Sequence, residues 1–106
     1  MIHDVSIPQT IKIGGFTYTI DYSKDAIDRL EETKDYGHCV HTKKIIRIST
    51  KYSEQENSNT FLHEFIEAIN EVWCNRHLTH DDINSLTNGL HQILEQLEIK
   101  FVQTKE

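Results

Sequence analysis

The hydrophobic period of this chain changes once, at Ser53, and that change sets its architecture. Upstream, apolar residues alternate. Thr10-Ile11-Lys12-Ile13 and Phe16-Thr17-Tyr18-Thr19-Ile20 flank a Gly14-Gly15 pair, and Tyr36-Gly37-His38-Cys39-Val40-His41 leads through Thr42-Lys43-Lys44 into Ile45-Ile46-Arg47-Ile48-Ser49. Alternation on both sides of turn residues predicts two β-hairpins, joined in one small, mainly antiparallel sheet. Downstream, apolar residues recur every three or four positions, the period of a helix. Leu62, Phe65, Ile66, Ile69, Val72 and Trp73 form one stripe, and Ile83, Leu86, Leu90, Ile93, Leu94 and Leu97 form a second. Both are expected to face the core. Ser53 and Glu56 have the spacing of a capping box, for a helix expected to run to about Arg76. Thr79, followed by Asp81 and Asp82, caps the next helix. Strands first and helices second predict an α+β fold in a single domain over 1–106. Residues 1–8 read as a loose lead-in ending at Pro8, residues 23–35 as a short helix or an ordered loop, and residues 98–102 as an edge strand or a frayed end.

Charge and composition remove several function classes. The net charge is −6 and no basic run occurs, which argues against nucleic-acid binding through a basic face. No apolar run approaches the ~20 residues of a membrane span, and Met1-Ile2-His3-Asp4-Val5 lacks the features of a secretory signal. The two cysteines, Cys39 and Cys74, form no C-x-x-C pair and read as reduced thiols of a cytoplasmic protein. Cys39 and His41 share one strand face, too few ligands for a metal site by themselves. Seven histidines in 106 residues are the compositional oddity.

The chemistry concentrates in Thr60-Phe61-Leu62-His63-Glu64-Phe65-Ile66-Glu67-Ala68-Ile69-Asn70. His63 and Glu67 lie one turn apart on one helix face, and Glu64 sits about 100° round from His63. This is the pattern of two metal ligands with an adjacent carboxylate as general base, with Glu67 where the second ligand is usually His. The competing reading is a surface helix with solvated Glu and His. Zinc accepts carboxylate oxygen as well as imidazole, and catalytic sites commonly use three protein ligands. A carboxylate in the ligand set weakens the Lewis acid and brings in harder ions such as manganese. For the third ligand, Glu71 lies about 12 Å along the helix from His63 and converges poorly. His80 reaches the site if the chain folds back after the break at Asn75-Arg76-His77-Leu78. His91 falls level with 63–67 if the two helices form a simple antiparallel hairpin, as a backup ligand or an oxyanion donor, or else as a polar residue on an exposed face.

Taken together, the Gly-Gly hairpin, Ile45-Ile46-Arg47-Ile48, the 60–70 segment and Leu78-Thr79-His80-Asp81-Asp82-Ile83 resemble the small phage- and prophage-encoded zincin-like proteins related to the ImmA/IrrE-type metallopeptidases. The resemblance spans about residues 10–97. It implies a twisted sheet packed on the active-site helix, with His63, Glu67 and His80 as ligands to Zn2+ and Glu64 as catalytic base. The implied reaction is hydrolysis of a peptide bond in a protein or peptide substrate, with Glu64 taking a proton from water and passing it to the leaving amine. A chain this small has little room for an extended groove, so a partner or oligomerisation is expected to supply specificity. The alternative function is a non-catalytic binding or adaptor module that keeps the zincin scaffold and a metal for stability, a reading that glutamate at position 67 favours.

Overall fold

The structure is a computed structural model that describes residues 3–103. Within the lead-in expected over residues 1–8, whose first two residues lie outside the described ones, His3–Ser6 forms strand β1. All four of its residues are exposed, so no alternation marks it in the sequence. Backbone pairing holds it, parallel to Ile99–Val102 at the other end of the chain. Ile7, 1% exposed, anchors the strand's end in the core, and its N–H donates to the Val102 carbonyl.

The expected hairpins both form. β2 (Thr10–Ile13) and β3 (Phe16–Asp21) pair antiparallel across Gly14 and Gly15. Gly14 has φ +61°, and Gly15 is not left-handed, the pattern of a II′ turn that twists with its strands. A Cβ at Gly14 would come within 2.6 Å of Val72 Cγ1, so the turn also presses against the helical layer. The open reading of residues 23–35 resolves as helix α1 (Lys24–Thr33), where the Ser23 hydroxyl accepts from the Ala26 N–H and Ala26 and Leu30 point inward. β4 (Gly37–Val40) and β5 (Ile45–Ile48) make the second hairpin. The four strands run in the order β2-β3-β5-β4. Two of the three pairings are antiparallel, as expected, but β3 and β5 are parallel. The parallel join follows from α1, which crosses over between the hairpins as parallel strands require.

Helix α2 (Glu54–Val72) starts at Ser53, whose hydroxyl accepts from the Glu56 N–H, and stops short of the expected Arg76. Asn75 and Arg76 are both left-handed, which ends any helical run. Helix α3 (His80–Gln96) starts at Thr79 with a full capping box to Asp82, and β6 (Ile99–Val102) closes the fold beside β1. The result is α+β.

Two core clusters meet on α2. One side packs Phe61 and Ala68 against Tyr18, Ile20, Ile46 and Ile48 of the sheet. The other packs Leu62 and Ile66 against Ile83 of α3. Helix α2 is therefore a central helix, buried on more than the single stripe read from its sequence. The second stripe is corrected outright: of its six residues only Ile83 is fully buried, and Leu86, Leu90, Ile93 and Leu97 are exposed. Helix α3 is an outer helix that uses one flank of a wide apolar arc against α2, a choice its periodicity does not encode. Trp73 is likewise exposed, because it caps α2 rather than continuing it. No helix among the described residues is long and apolar enough to cross a membrane.

Candidate metal centre

The site is built where α2 passes under the edge strand β4. Gly37 makes this approach possible: a Cβ there would lie 2.6 Å from Thr60 Cγ2, 3.0 Å from Glu64 Cγ and 3.1 Å from the Arg47 carbonyl oxygen. With no side chain at 37, Glu64 is 6% exposed beneath the strand, and its carboxylate accepts a hydrogen bond from the Cys39 backbone N–H. His63 and Glu67, a turn apart on the neighbouring flank, are half-buried at the edge of solvent. One donor atom from each of His63, Glu64 and Glu67 falls within 4.8 Å of the others. Donors ~2.0–2.2 Å from one tetrahedral ion lie about 3.3–3.6 Å apart, so side-chain rotations that draw the three together by about 1 Å would let them share an ion.

The loop from 73 to 79 brings in His80. Asn70, buried near the end of α2, donates from Nδ2 to the Leu78 carbonyl (3.2 Å) and accepts at Oδ1 from the Leu78 N–H (3.0 Å). Its own carbonyl accepts from the Arg76 N–H. This double clamp folds the chain back tightly, and the His80 ring meets the His63 ring edge-on with centroids 5.9 Å apart. Two imidazoles on one tetrahedral ion hold their centroids about 5 Å apart, so His80 stands slightly outside the ligand triangle, on its open side. His63, Glu64, Glu67 and His80 all line one recess of about 330 Å³.

The tight return places the other candidates elsewhere. His91, expected level with 63–67, instead pairs through Nδ1 with Glu95 Oε1 at 3.0 Å and lies beside Gln55, near the start of α2. With residue 80 already beside residue 63, the rest of α3 runs away from the site. Glu71 forms two 2.7 Å contacts with the Arg76 guanidinium and faces a separate depression of about 700 Å³ on the other side of Glu67. On the strand side, Asp35 and His38 line the same recess as the four site residues. Sequence reasoning gave Asp35 no role and treated His38 only as a strand residue. Neither has a spacing signal, since both reach the site across the fold.

Electrostatics separate the roles. Burial lowers the His63 pKa, only partly opposed by Glu67, and His80 lowers it further. The net effect favours the neutral ring, which has a lone pair to offer. Glu64 is pushed up to about 8, mainly by burial, then by Glu67 and Asp35, with the Cys39 N–H pulling the other way. It is a carboxyl poised to hold a proton near neutrality and to release it beside a cation. Cys39 is pushed up to about 12 by burial and by Glu64 and Glu67, so its thiol, 3.5 Å from His41 Nδ1, stays protonated and is no thiolate ligand. No known protein family, curated protein or solved structure matches the chain. What the centre can do follows from its own chemistry.

Proposed function

We propose that this chain is a small metal-dependent hydrolase of peptide bonds, akin to the ImmA/IrrE-type metallopeptidases its sequence resembles, with His63, Glu67 and His80 as ligands and Glu64 as base. The supporting observation is the convergence of His63, Glu64 and Glu67 donors within 4.8 Å at the wall of a recess that His80 also lines. A divalent ion there, zinc or manganese, would supply Lewis acidity toward a carbonyl oxygen and toward water. The remaining steps belong to the chain. Glu64, buried and with a raised proton affinity, takes a proton from the attacking water and delivers it to the leaving amine. Strand β4 and α2 shield it from bulk solvent, which keeps that proton from being lost. The depression beyond Glu67 gives flanking residues of a peptide somewhere to lie. Two free thiols, one buried, fit a reducing compartment such as the cytoplasm, and the phage origin is the one the resemblance implies.

One observation favours a second reading. Glu64 lies inside the same ligand triangle as His63 and Glu67, so it can bind the ion itself and leave no base. The protein would then be a metal-stabilised binding module. Glu64→Gln separates the two. For the hydrolase, zinc content stays near that of the wild type, at about one ion per chain, while cleavage of a peptide library falls by at least ~10²-fold. For the module, zinc content drops with the variant and no cleavage occurs in either protein. In both readings His63→Ala loses the metal, and equal metal in His63→Ala and wild type removes the site.

A further inference from the structure

Helix α3 leaves an apolar edge open to solvent. Leu86, Leu90, Ile93 and Leu97 are 51%, 41%, 55% and 58% exposed. Their successive spacings of four, three and four are the 3.5-residue repeat of a seam between two helices. The flank carrying Ile83 and Thr87 is already buried, so the row of four lies beside the core-facing flank. Single exposed leucines are ordinary on a soluble protein, whereas an aligned row marks a contact surface.

We propose that this edge receives a second copy of the same chain, the two α3 helices packing antiparallel about a two-fold axis. Charge selects the occupant. The chain carries a net charge of −6, yet the only Asp, Glu, Lys or Arg between Leu86 and Leu97 is Glu95, which is turned away from the row toward α2, paired with His91 and accepting from Gln55. Two copies can therefore meet there without opposing or burying like charges, as an isologous contact requires. Gly89, on the flank away from the core, has open space around its absent Cβ, which lets a facing helix come close. Polarity selects the direction. A parallel pair would set both helix N-termini and both Asp81-Asp82 pairs side by side. An antiparallel pair separates them and opposes the helix dipoles. It also places Leu86 opposite Leu97 and Leu90 opposite Ile93 across the axis. The seam is about 17 Å long, short for the ~800 Å² that each partner of a standard interface contributes. The dimer is accordingly weak, with Kd on the order of 10–100 µM.

The test is sedimentation equilibrium on the full chain from about 5 to about 300 µM. The wild type should move from 12.4 kDa toward twice that mass. Leu90→Glu and Ile93→Lys, each at an exposed position and each checked for native circular dichroism, should stay monomeric alone. Mixed in equal amounts they should dimerise again, because only the antiparallel arrangement sets the introduced carboxylate against the introduced ammonium. A wild type that stays monomeric throughout overturns the proposal. So does a dimer that survives both single variants, or a mixture that does not recover. Metal content enters none of these readings, so failure here leaves the hydrolase proposal standing.

Discussion

Glu64 and Gly37 form a matched pair, one side chain kept large and buried because the other is missing. For Glu64 the consequence is a pH dependence of stability. Its folded pKa of about 8 stands above its ordinary 4.5, so without a cation the folded state holds the proton more tightly than the unfolded state does. The contribution is fully present below the unfolded value and is lost as pH rises through the folded one. In chelator, the urea midpoint of the wild type should fall between about pH 5 and about pH 8. Glu64→Gln removes that slope and is the more stable protein at the alkaline end. Parallel wild-type and variant profiles across the window would mean that Glu64 is solvated. For Gly37 the prediction is steric. Gly37→Ala meets Thr60 Cγ2, Glu64 Cγ and the Arg47 carbonyl oxygen at once, and the carbonyl cannot swing aside. The cost should be about 1–3 kcal/mol, seen as a Tm lower by roughly 5–15 °C. Adding Thr60→Ser removes the closest contact and should restore part of the loss. No restoration in the double variant would show that the strand, not Thr60, is what yields.

Between α2 and α3 the decisive element is the return loop, and its pin is Asn70. Asn70→Ala strips two hydrogen bonds from the Leu78 backbone and should cost about 2–3 kcal/mol. It should also weaken zinc binding by ~10–100-fold by loosening His80, as the loss of a group that positions a ligand does. Titration calorimetry with zinc checks this, and a stability loss with unchanged affinity would remove His80 from the ligand set. This loop also marks where sequence reasoning stops. The hairpins, the helix starts at Ser53 and Thr79, and the i, i+4 placement of His63 and Glu67 were legible because each depends on neighbours within a few residues. Asn70 as a pin, Gly37 as a gap, and Asp35 and His38 as recess walls were not, because each acquires its meaning from an element far away in the chain. His91 failed for the same reason. Its expected height assumed a symmetric hairpin, and two left-handed residues at 75 and 76 make a tighter one.

At the scale of the whole molecule, the two ends of the chain hold the two core clusters together. Strand β6 pairs with β1, and Phe101 from its middle packs against both clusters, its ring 5.3 Å from that of Phe61. The Phe101 N–H donates to the Ser58 hydroxyl on α2, which fixes the strand to the central helix as well as to its neighbour. Removing the ring should therefore act on both clusters and on β1. Phe101 is only half-buried, so Phe101→Ala should cost about 2–3 kcal/mol, below the 3–5 kcal/mol of a fully buried phenylalanine. The loss should not be spread evenly. The Ile7 N–H, bonded to the Val102 carbonyl, should exchange with deuterium through local opening of the β1–β6 pair, faster than the global stability of the variant allows. The β3–β5 amides, held in the sheet, should track the global value. If the Ile7 amide follows that global value too, β1 and β6 are part of one cooperative unit with the sheet and not a separate clasp across it.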